Sequence, residues 1–513
     1  MDNWYAWPHL ISPATAAMNI VDRHLKIMES YVKAPQIHAS AVQNPAMLGG
    51  PFIDYQGKRV EEIKALIQET RRERVQMIAM SGAIKELDQM LRTEAKGYSI
   101  EPLYSKVPEI LKGYVELVYD LNNQPSFRLI EPLLYRSEFY DPKRQSLMLS
   151  EINQDDRPFV LSTPRLQDPD EAHVRIPFAS GAIDELFKMR KKPQTFAYIK
   201  EQLGFEDKDD AVFAKLLTPE TPRAYQNYEG KGVRWRYFGH ACILVETKDI
   251  RIMVDPVLSY TYQHSISRFT YDDLPDVIDY VLISHNHQDH LLFETMLQLR
   301  HKIKHIVVPR NGGGALADPS LKLVLQNMGF ENVLELDELD TIATSVGSIT
   351  GLPFLGEHCD VNIRTKMAWL VQLNQHKILF AADSCNIESR LYDHIHQLYG
   401  DVDVLFLGME CDGGPLTWLY GPLLTKPLDR KMDQSRRYAG SNYERGMAIV
   451  NRLNFKDVYV YAMGQEPWLN YIMSLKYTDE SNPIVASNRL VAECRQRGIR
   501  SERLFGEKEI LLP

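Results

Sequence analysis

Side chains that bind metals are concentrated in one short segment of this chain. Three histidines and an aspartate stand within six consecutive residues, one residue after the apolar run 280–283, in the string His285-Asn286-His287-Gln288-Asp289-His290. Side chains two residues apart beyond a strand point to the same side, so His285 and His287 can bind one ion. Asp289 and His290, which we expect at the start of the following helix, can reach a second ion. Imidazole and carboxylate ligands suit zinc, iron or manganese, so the motif predicts two metals without choosing the element.

The length of the chain predicts two domains, because 513 residues exceed the ~250–300 at which a single hydrophobic core stops growing. Up to about residue 122 apolar residues recur at helical spacing, and short runs broken by prolines follow. Pro219 and Pro222 favour an extended linker at 218–223. We therefore expect an α/β protein with an N-terminal mixed α/β domain at residues 1–229 and a catalytic domain at residues 230–513.

Strand-like runs alternate with helical stretches such as 291–302 beyond this linker, which indicates sheets and helices layered together. The strand-like runs are 251–257, 279–284, 305–308, 369–373, 377–381, 404–407 and 458–461.

Composition excludes several classes of protein. The formal net charge of -9 has the wrong sign for a protein that neutralises phosphate backbones, so we expect no nucleic-acid partner. The sequence contains no apolar run of the ~20 residues that cross a bilayer, and its start lacks a basic, apolar leader, so we expect a cytoplasmic protein without a membrane segment. The five cysteines form no C-x-x-C pair, which argues against disulfides and zinc knuckles and favours small buried residues.

From about Gly232 onward the chain resembles the metallo-β-lactamase fold, whose hallmark is the histidine string described above. The segments 237–241, 253–256 and 381–384 agree with that fold as well. The resemblance implies an αββα sandwich. It also implies that Asp383, which follows a late strand, bridges the two metals.

One departure from the usual hydrolases of that fold concerns the first metal. Those enzymes supply a histidine from a glycine-flanked turn, whereas this chain has Gly356-Glu357-His358 there. The late histidine that completes their second site is also missing from 461–468. A site with more carboxylate and open positions favours oxygen chemistry at non-haem iron. A register in which His358 rather than Glu357 is the ligand remains an alternative.

A closer resemblance covers nearly the whole chain. It is to the di-iron β-hydroxylases of nonribosomal peptide biosynthesis, the family of the chloramphenicol-pathway aminoacyl β-hydroxylase. The segments that carry this resemblance are 45–51, 131–135, 239–242, 255–260, 285–290, 352–358, 420–423 and 461–464.

The family resemblance implies an activity and a set of ligands. Such enzymes use O₂ to hydroxylate the β-carbon of an amino acid held as a thioester on a peptidyl carrier domain of a nonribosomal peptide synthetase, within antibiotic and other secondary-metabolite pathways. The resemblance implies a cluster of two Fe ions and an external electron donor in the form of a separate reductase. It also implies a homodimer, and we expect the N-terminal domain at 1–229 to serve dimerisation and docking of the carrier domain. The resemblance further implies Glu410 as a catalytic residue close to the cluster, and the ligand set His285, His287 and Glu357 on one iron, Asp289 and His290 on the other, and Asp383 between them.

Other readings of these residues remain. The same site can belong to a dizinc hydrolase of an ester, lactam or phosphodiester, or to a binding protein without chemistry. We expect His240 to be a hydrogen-bonded structural residue, and Asp255 and Asp429 either orient imidazoles or cap turns. The basic clusters at 71–74 and 188–192 either dock an acidic carrier domain or are solvated surfaces, and we expect the second.

Overall fold

The N-terminal region is built mainly from helices. The computed structural model describes residues 1–206 and 209–513. A π-helix at Ile20–Leu25 joins the second and third α-helices. The α-helices of this region are α1 (Pro8–Ile11), α2 (Pro13–Asn19), α3 (Lys26–Lys33), α4 (Pro35–Ala41), α5 (Val60–Glu73), α6 (Val75–Glu94), α7 (Glu131–Leu134), α8 (Gly181–Lys188), α9 (Phe196–Leu203) and α10 (Asp210–Ala214).

This region also contains two antiparallel pairs of strands. They are β1 (Val115–Tyr119) with β2 (Pro125–Leu129), and β3 (Ser146–Ser150) with β4 (Glu171–Arg175). The helical pattern predicted up to residue 122 was wrong at its end, because the last long helix, α6, stops at Glu94 and β1 starts at Val115. A buried valine and leucine two residues apart in β1 fit the alternation of a strand.

The C-terminal region contains two sheets of seven strands each. The first, in spatial order, is β10 (Val333–Leu336), β9 (Ile303–Pro309), β8 (Ile278–Leu282), β7 (Arg251–Val254), β6 (Ile243–Glu246), β5 (Val233–Tyr237) and β20 (Lys508–Leu512). The second is β11 (Thr341–Thr344), β12 (Gly347–Leu352), β13 (Ala368–Leu373), β14 (His376–Phe380), β15 (Val404–Gly408), β18 (Asp457–Tyr461) and β19 (Arg500–Arg503). A two-residue pair, β16 (Gly414–Pro415) and β17 (Arg437–Tyr438), lies apart from both sheets.

Helices cover the outer faces of the two sheets. Along β7 the side chains alternate: Ile252 and Val254 pack between the sheets, and Met253 faces the helical layer. This arrangement confirms the predicted αββα sandwich. The helices of the region are α11 (Phe293–Leu299), α12 (Leu321–Asn327), α13 (Arg390–Tyr399), α14 (Leu416–Leu419), α15 (Arg430–Ser435), α16 (Tyr443–Leu453), α17 (Asn470–Met473) and α18 (Asn482–Gln496).

The two regions share hydrophobic cores. One core joins Met28 and Ile84 of the N-terminal helices to Leu416 and Leu419 of α14. Residues 217–232, which connect the regions, contain no helix or strand. Within the described ranges, no helix has the length and apolar character needed to cross a lipid bilayer.

Candidate metal centre

The predicted ligands converge at one end of the two sheets, because most of them follow strand ends. The histidine string follows β8, and Asp383 comes three residues after β14. Asp289 and His290 lie in a tight turn in which the His290 and Leu291 amides both donate to the carbonyl of His287. The expectation that Asp289 and His290 start the next helix was therefore wrong, since α11 begins only at Phe293.

Three buried groups of side chains place their ligand atoms within 4.8 Å of one another. They share members, so they form one continuous site. The groups are His285 with His287 and Glu357, His285 with His290 and Asp383, and His240 with Asp289 and His290.

The first group brings an acidic ligand to two imidazoles. His287 Nδ1 lies 3.1 Å from Glu357 Oε1 and 3.2 Å from His285 Nε2. Glu357 itself is 7% exposed. The turn that carries it holds Glu357 at φ 66° and Cys359 at φ 53°, a left-handed conformation that costs about 1 kcal/mol or more for each non-glycine residue. The fold therefore holds Glu357 beside the histidines at an energetic cost, which is typical of functional positions.

The second side of the site has more carboxylate. His290 Nε2 lies 2.9 Å from Asp383 Oδ2 and 3.7 Å from Asp289 Oδ2. His285 Nε2 is 3.9 Å from the same Asp383 oxygen, so Asp383 stands between the two imidazoles. On the far side of Asp289, His240 Nε2 lies 3.1 Å from Asp289 Oδ2. His240 thus contacts a predicted ligand through a hydrogen bond, and it also belongs to one of the three groups.

An outer layer of hydrogen bonds fixes which nitrogen of two histidines faces the centre. Asp255 Oδ2 lies 2.8 Å from His290 Nδ1 and accepts a 2.6 Å bond from the Ser284 hydroxyl. The Ser284 oxygen is in turn 2.9 Å from His285 Nδ1. With the Nδ1 protons directed to these acceptors, the Nε2 lone pairs of both histidines face inward. Asp255 therefore orients two imidazoles, one of the two roles predicted for it.

The third imidazole is held the opposite way round. His287 Nε2 lies 2.8 Å from the hydroxyl of Tyr420, so its Nδ1 lone pair faces Glu357 and His285. Tyr420 is buried, and Arg23 of the N-terminal π-helix fixes its loop by donating to the carbonyls of Trp418 and Leu419 at 2.7 and 3.0 Å. Sequence reasoning assigned no role to Tyr420. It opens the segment 420–423, one of those that carry the family resemblance, but its separation of 133 positions from His287 hid the contact.

These contacts fit bound cations. The inward lone pairs of His285 Nε2 and His287 Nδ1 are 3.2 Å apart, and they repel unless a positive charge lies between them. Asp383 Oδ1 is buried without a hydrogen-bond partner among the described residues. His290 Nε2 forms no hydrogen bond of acceptable geometry there either, although Asp383 Oδ2 lies 2.9 Å away. Burial raises the pKa of Glu357 well above its usual range, and the carboxylates of Asp383 and Asp289 add to the shift. Such a convergence of buried donors is the arrangement expected of a two-metal site rather than of an ion-pair network.

Glu410 lies at the rim of the site, two residues beyond β15. Its Oε2 accepts a 2.6 Å bond from the Gly413 amide, and the Gly440 amide donates to its carbonyl at 2.7 Å. Burial, with smaller effects from Asp412 and Asp383, raises the pKa of Glu410 to about 7. It belongs to none of the three ligand groups found in the described part of the chain.

Other candidate residues have different positions. Asp429 caps the N-terminus of α15, where its Oδ1 accepts a hydrogen bond from the Met432 amide at 2.8 Å. Of the two roles predicted for it, the structure shows the capping role. His358 is buried and has no hydrogen-bond partner for either nitrogen within the described ranges. Four of the five cysteines are buried, Cys411 is partly exposed, and all five are free thiols.

Comparison with known proteins identifies the family of this chain. The family described as "diiron non-heme beta-hydroxylase N-terminal domain" matches residues 1–222, and a beta-lactamase superfamily domain matches residues 250–413. The 4-amino-L-phenylalanyl-[CmlP-peptidyl-carrier-protein] 3-hydroxylase of Streptomyces venezuelae is 39% identical over 99% of this chain and 97% of its own length. The chain belongs to the di-iron β-hydroxylase family.

Solved structures agree over the full length. The crystal structure of CmlA, a diiron β-hydroxylase from Streptomyces venezuelae, covers 100% of this chain and 97% of its own chain with a TM-score of 0.93 and 37% identity. A point variant of CmlA gives a TM-score of 0.91 at the same identity, with 98% of its chain covered. The family resemblance stated from the sequence is therefore confirmed. This di-iron β-hydroxylase is an enzyme, and the comparisons favour the oxygenase over the hydrolase alternative.

Proposed function

We propose that this chain is an O₂-dependent di-iron monooxygenase that hydroxylates the β-carbon of an amino acid tethered as a thioester to a peptidyl carrier domain of a nonribosomal peptide synthetase. The observation that carries the proposal is the carboxylate of Glu357, 3.1 Å from His287 Nδ1, at a position where the hydrolases of this fold place a histidine. The 39% identity to a carrier-dependent 3-hydroxylase supports the carrier-bound substrate.

We propose the predicted ligand set for the two irons. His285, His287 and Glu357 would hold one, Asp289 and His290 the other, and Asp383, which lies between the imidazoles of His285 and His290, would bridge them. When bound and reduced by two electrons, a pair of irons supplies the O₂ activation that no amino acid side chain provides.

The protein's own contribution is to orient ligands and exclude water. Asp255, Ser284 and Tyr420 fix the inward nitrogen of each histidine, as described above. Asp289, Glu357 and Asp383 are each at most 9% exposed, so little bulk water reaches the reacting centre. Glu410 at the rim has a pKa near neutrality, so its carboxyl can hold or release a proton next to an entering substrate.

Three further properties belong to the same proposal. We propose a separate reductase as electron donor, a homodimer, and a cytoplasmic location, each implied by the family or by composition. We also keep the domain boundary near residue 230, which the irregular stretch 217–232 supports.

Isotope labelling tests the reaction. The iron-loaded chain, chemically reduced, is given a carrier domain charged with aromatic and branched aliphatic amino acids in turn under ¹⁸O₂. We expect one charged form to gain a single oxygen atom that carries the label, and the Glu410→Gln variant to keep its iron but turn over about 10–100-fold more slowly. Release of the free amino acid from the carrier, with oxygen taken from water, would instead identify a hydrolase.

A further inference from the structure

A positively charged segment lies beside the metal centre. We call residues 426–437, which include α15 and the start of β17, the basic cover. Within it the carboxylates are only Asp429 and Asp433. Its cations are Lys426, Arg430, Lys431, Arg436 and Arg437. This is a local excess of positive charge in a chain whose formal net charge is -9.

Hydrogen bonds attach the basic cover to the loops that carry Glu357 and Glu410. Arg436 Nε donates to the carbonyl of Cys359 at 2.8 Å, two residues after Glu357. Arg437 Nε donates to the carbonyl of Asp412 at 2.7 Å. Next to Arg437, the ring of Tyr438 lies 6.3 Å from the ring of His287. The basic cover therefore borders the metal centre itself.

The exposed cations of the basic cover have no acidic partner among the residues that the structure describes. In the described part of the chain, Lys426, Arg430 and Lys431 form no ion pair, because no carboxylate oxygen lies within 4.0 Å of their side-chain nitrogens. Asp429 is used as the cap of α15, and Asp433 accepts bonds from the amide and hydroxyl of Thr417, both at 2.9 Å. The side chain of Met432, between these charges, is 54% exposed. Unpaired cations around an exposed apolar side chain are typical of a surface that binds an anionic partner.

The two other basic clusters differ from this one. At 71–74, Arg71 pairs with Glu29 at 2.6 Å and Arg72 with Glu73 at 3.0 Å, and Arg74 pairs with Asp2. At 188–192, Lys188 pairs with Glu185 at 2.8 Å. All three arginines at 71–74 are therefore paired with carboxylates. At 188–192, Lys188 alone among the described residues has a carboxylate partner, and Lys191 donates to the carbonyl of Arg223 at 3.0 Å. The ion pairs at 71–74 support the expectation that this cluster is an ordinary solvated surface, and for 188–192 that expectation stays a prediction.

We propose that the basic cover is the docking surface for the carrier domain, with Arg430 and Lys431 facing acidic groups of that domain and the phosphodiester of the arm that carries the aminoacyl thioester. This inference rests on the proposed function. A carrier domain must bind at the edge of the metal centre for its arm to enter. Because this chain has a net negative charge, it repels a negatively charged partner over most of its surface. The unpaired cations of the basic cover remove that repulsion at the place where the arm enters.

Charge reversal tests the docking surface. The probe is the CmlP carrier domain bearing its phosphopantetheine arm, fluorescently labelled, and binding to the full-length iron-loaded chain is followed by anisotropy at two salt concentrations. The test variant is Arg430→Glu/Lys431→Glu. Because α15 begins at Arg430, the new carboxylates lie at a helix N-terminus, where negative charge is favourable for folding. Iron content checks that the variant is intact.

Two matched variants complete the design. Lys191→Glu/Lys192→Glu makes the same change in charge on the cluster at 188–192, and Arg430→Lys/Lys431→Arg keeps the charge of the basic cover. We expect the carrier Kd to rise about tenfold or more for Arg430→Glu/Lys431→Glu, with a weaker dependence on salt, and to stay unchanged for both matched variants.

The outcomes separate the two proposals. An unchanged Kd for Arg430→Glu/Lys431→Glu, or a larger effect of Lys191→Glu/Lys192→Glu, overturns the docking surface while wild-type binding still supports the carrier as partner. Absence of any binding by the wild-type chain overturns the docking surface for this carrier, and the ¹⁸O₂ assay then decides the proposed function separately.

Discussion

His287 is held between two groups of different chemistry. Its Nδ1 faces the carboxylate of Glu357, and its Nε2 bonds the phenol of Tyr420 at 2.8 Å. A proton on Nε2 directed to Tyr420 leaves the Nδ1 lone pair free for a metal, so Tyr420 sets the tautomer of the ligand. The residue types in the histidine string made the ligands predictable. Tyr420 was not predictable, because a phenol acquires this role only through the three-dimensional position of its loop.

Substitution of Tyr420 tests this role. Tyr420→Phe removes the acceptor, and we expect the affinity for the iron next to His287 to fall by about 10–100-fold, the usual effect of losing an outer hydrogen bond to a ligand. The measurement is iron retained per chain against a competing chelator, together with the near-ultraviolet spectrum. Tyr459→Phe is the control, since the Tyr459 hydroxyl is buried in β18 without a hydrogen-bond partner in the described ranges. Equal retention by the two variants would contradict the role of Tyr420.

Substitutions at two neighbouring positions show whether Glu357 or His358 is the metal ligand beside His285 and His287. Glu357→Gln removes the negative charge beside His287, and we expect bound iron to fall from about two to about one per chain. His358→Gln should keep both irons, because His358 belongs to none of the ligand groups found among the described residues. Elemental analysis of the two purified variants gives the answer. Iron loss in His358→Gln with retention in Glu357→Gln would reverse the assignment.

At the scale of elements, the ends of strands place most of the site. The predicted strand at 404–407 is observed as Val404–Gly408, and the one at 377–381 as His376–Phe380. Alternating and continuous apolar runs made these strands predictable. The start of α11 was predicted at 289–291, two to four residues early, because the apolar Leu291 and Leu292 fit both a helix and the tight turn that carries the ligands.

Gly408 controls the position of Asp383. A Cβ at Gly408 would lie 2.3 Å from Asp383 Oδ1 and 2.8 Å from the carbonyl of Ala382. Gly408→Ala should therefore displace Asp383, lower the iron content and cost about 1–3 kcal/mol of stability through overpacking. Gly82→Ala is the matched control, because a Cβ there meets no atom within 4 Å and alanine raises the stability of a helix interior by about 1 kcal/mol. Iron analysis and thermal melting compare them; normal iron content in Gly408→Ala would contradict the steric account.

At the scale of the whole molecule, the N-terminal region forms part of the support of the metal centre. Arg23 holds the loop of Tyr420, and Tyr420 itself belongs to the core that the N-terminal helices build with α14. A second core joins Ile183 and Phe213 to Phe293 of α11, the helix that follows the ligand turn. Composition and length predicted two regions, but the shared cores were invisible in the sequence, since hydrophobic periodicity shows which face is buried and not against what.

Shared cores predict cooperative unfolding. We expect calorimetry of the iron-loaded chain to show one transition, with iron release at the same temperature, because unfolding the N-terminal region exposes apolar surface of the C-terminal region. Two separate transitions, the first of which leaves both irons bound, would show that the regions are energetically independent.

The identity of the bound metal tests the central claim most directly. The measurement is elemental analysis of the chain purified without added metal, paired with its absorption spectrum before and after dithionite. A carboxylate-rich oxygenase site predicts about two irons per chain and near-ultraviolet bands that bleach on reduction. Two zinc ions per chain, with no colour and no change when iron is supplied during expression, would contradict the account and indicate a hydrolase.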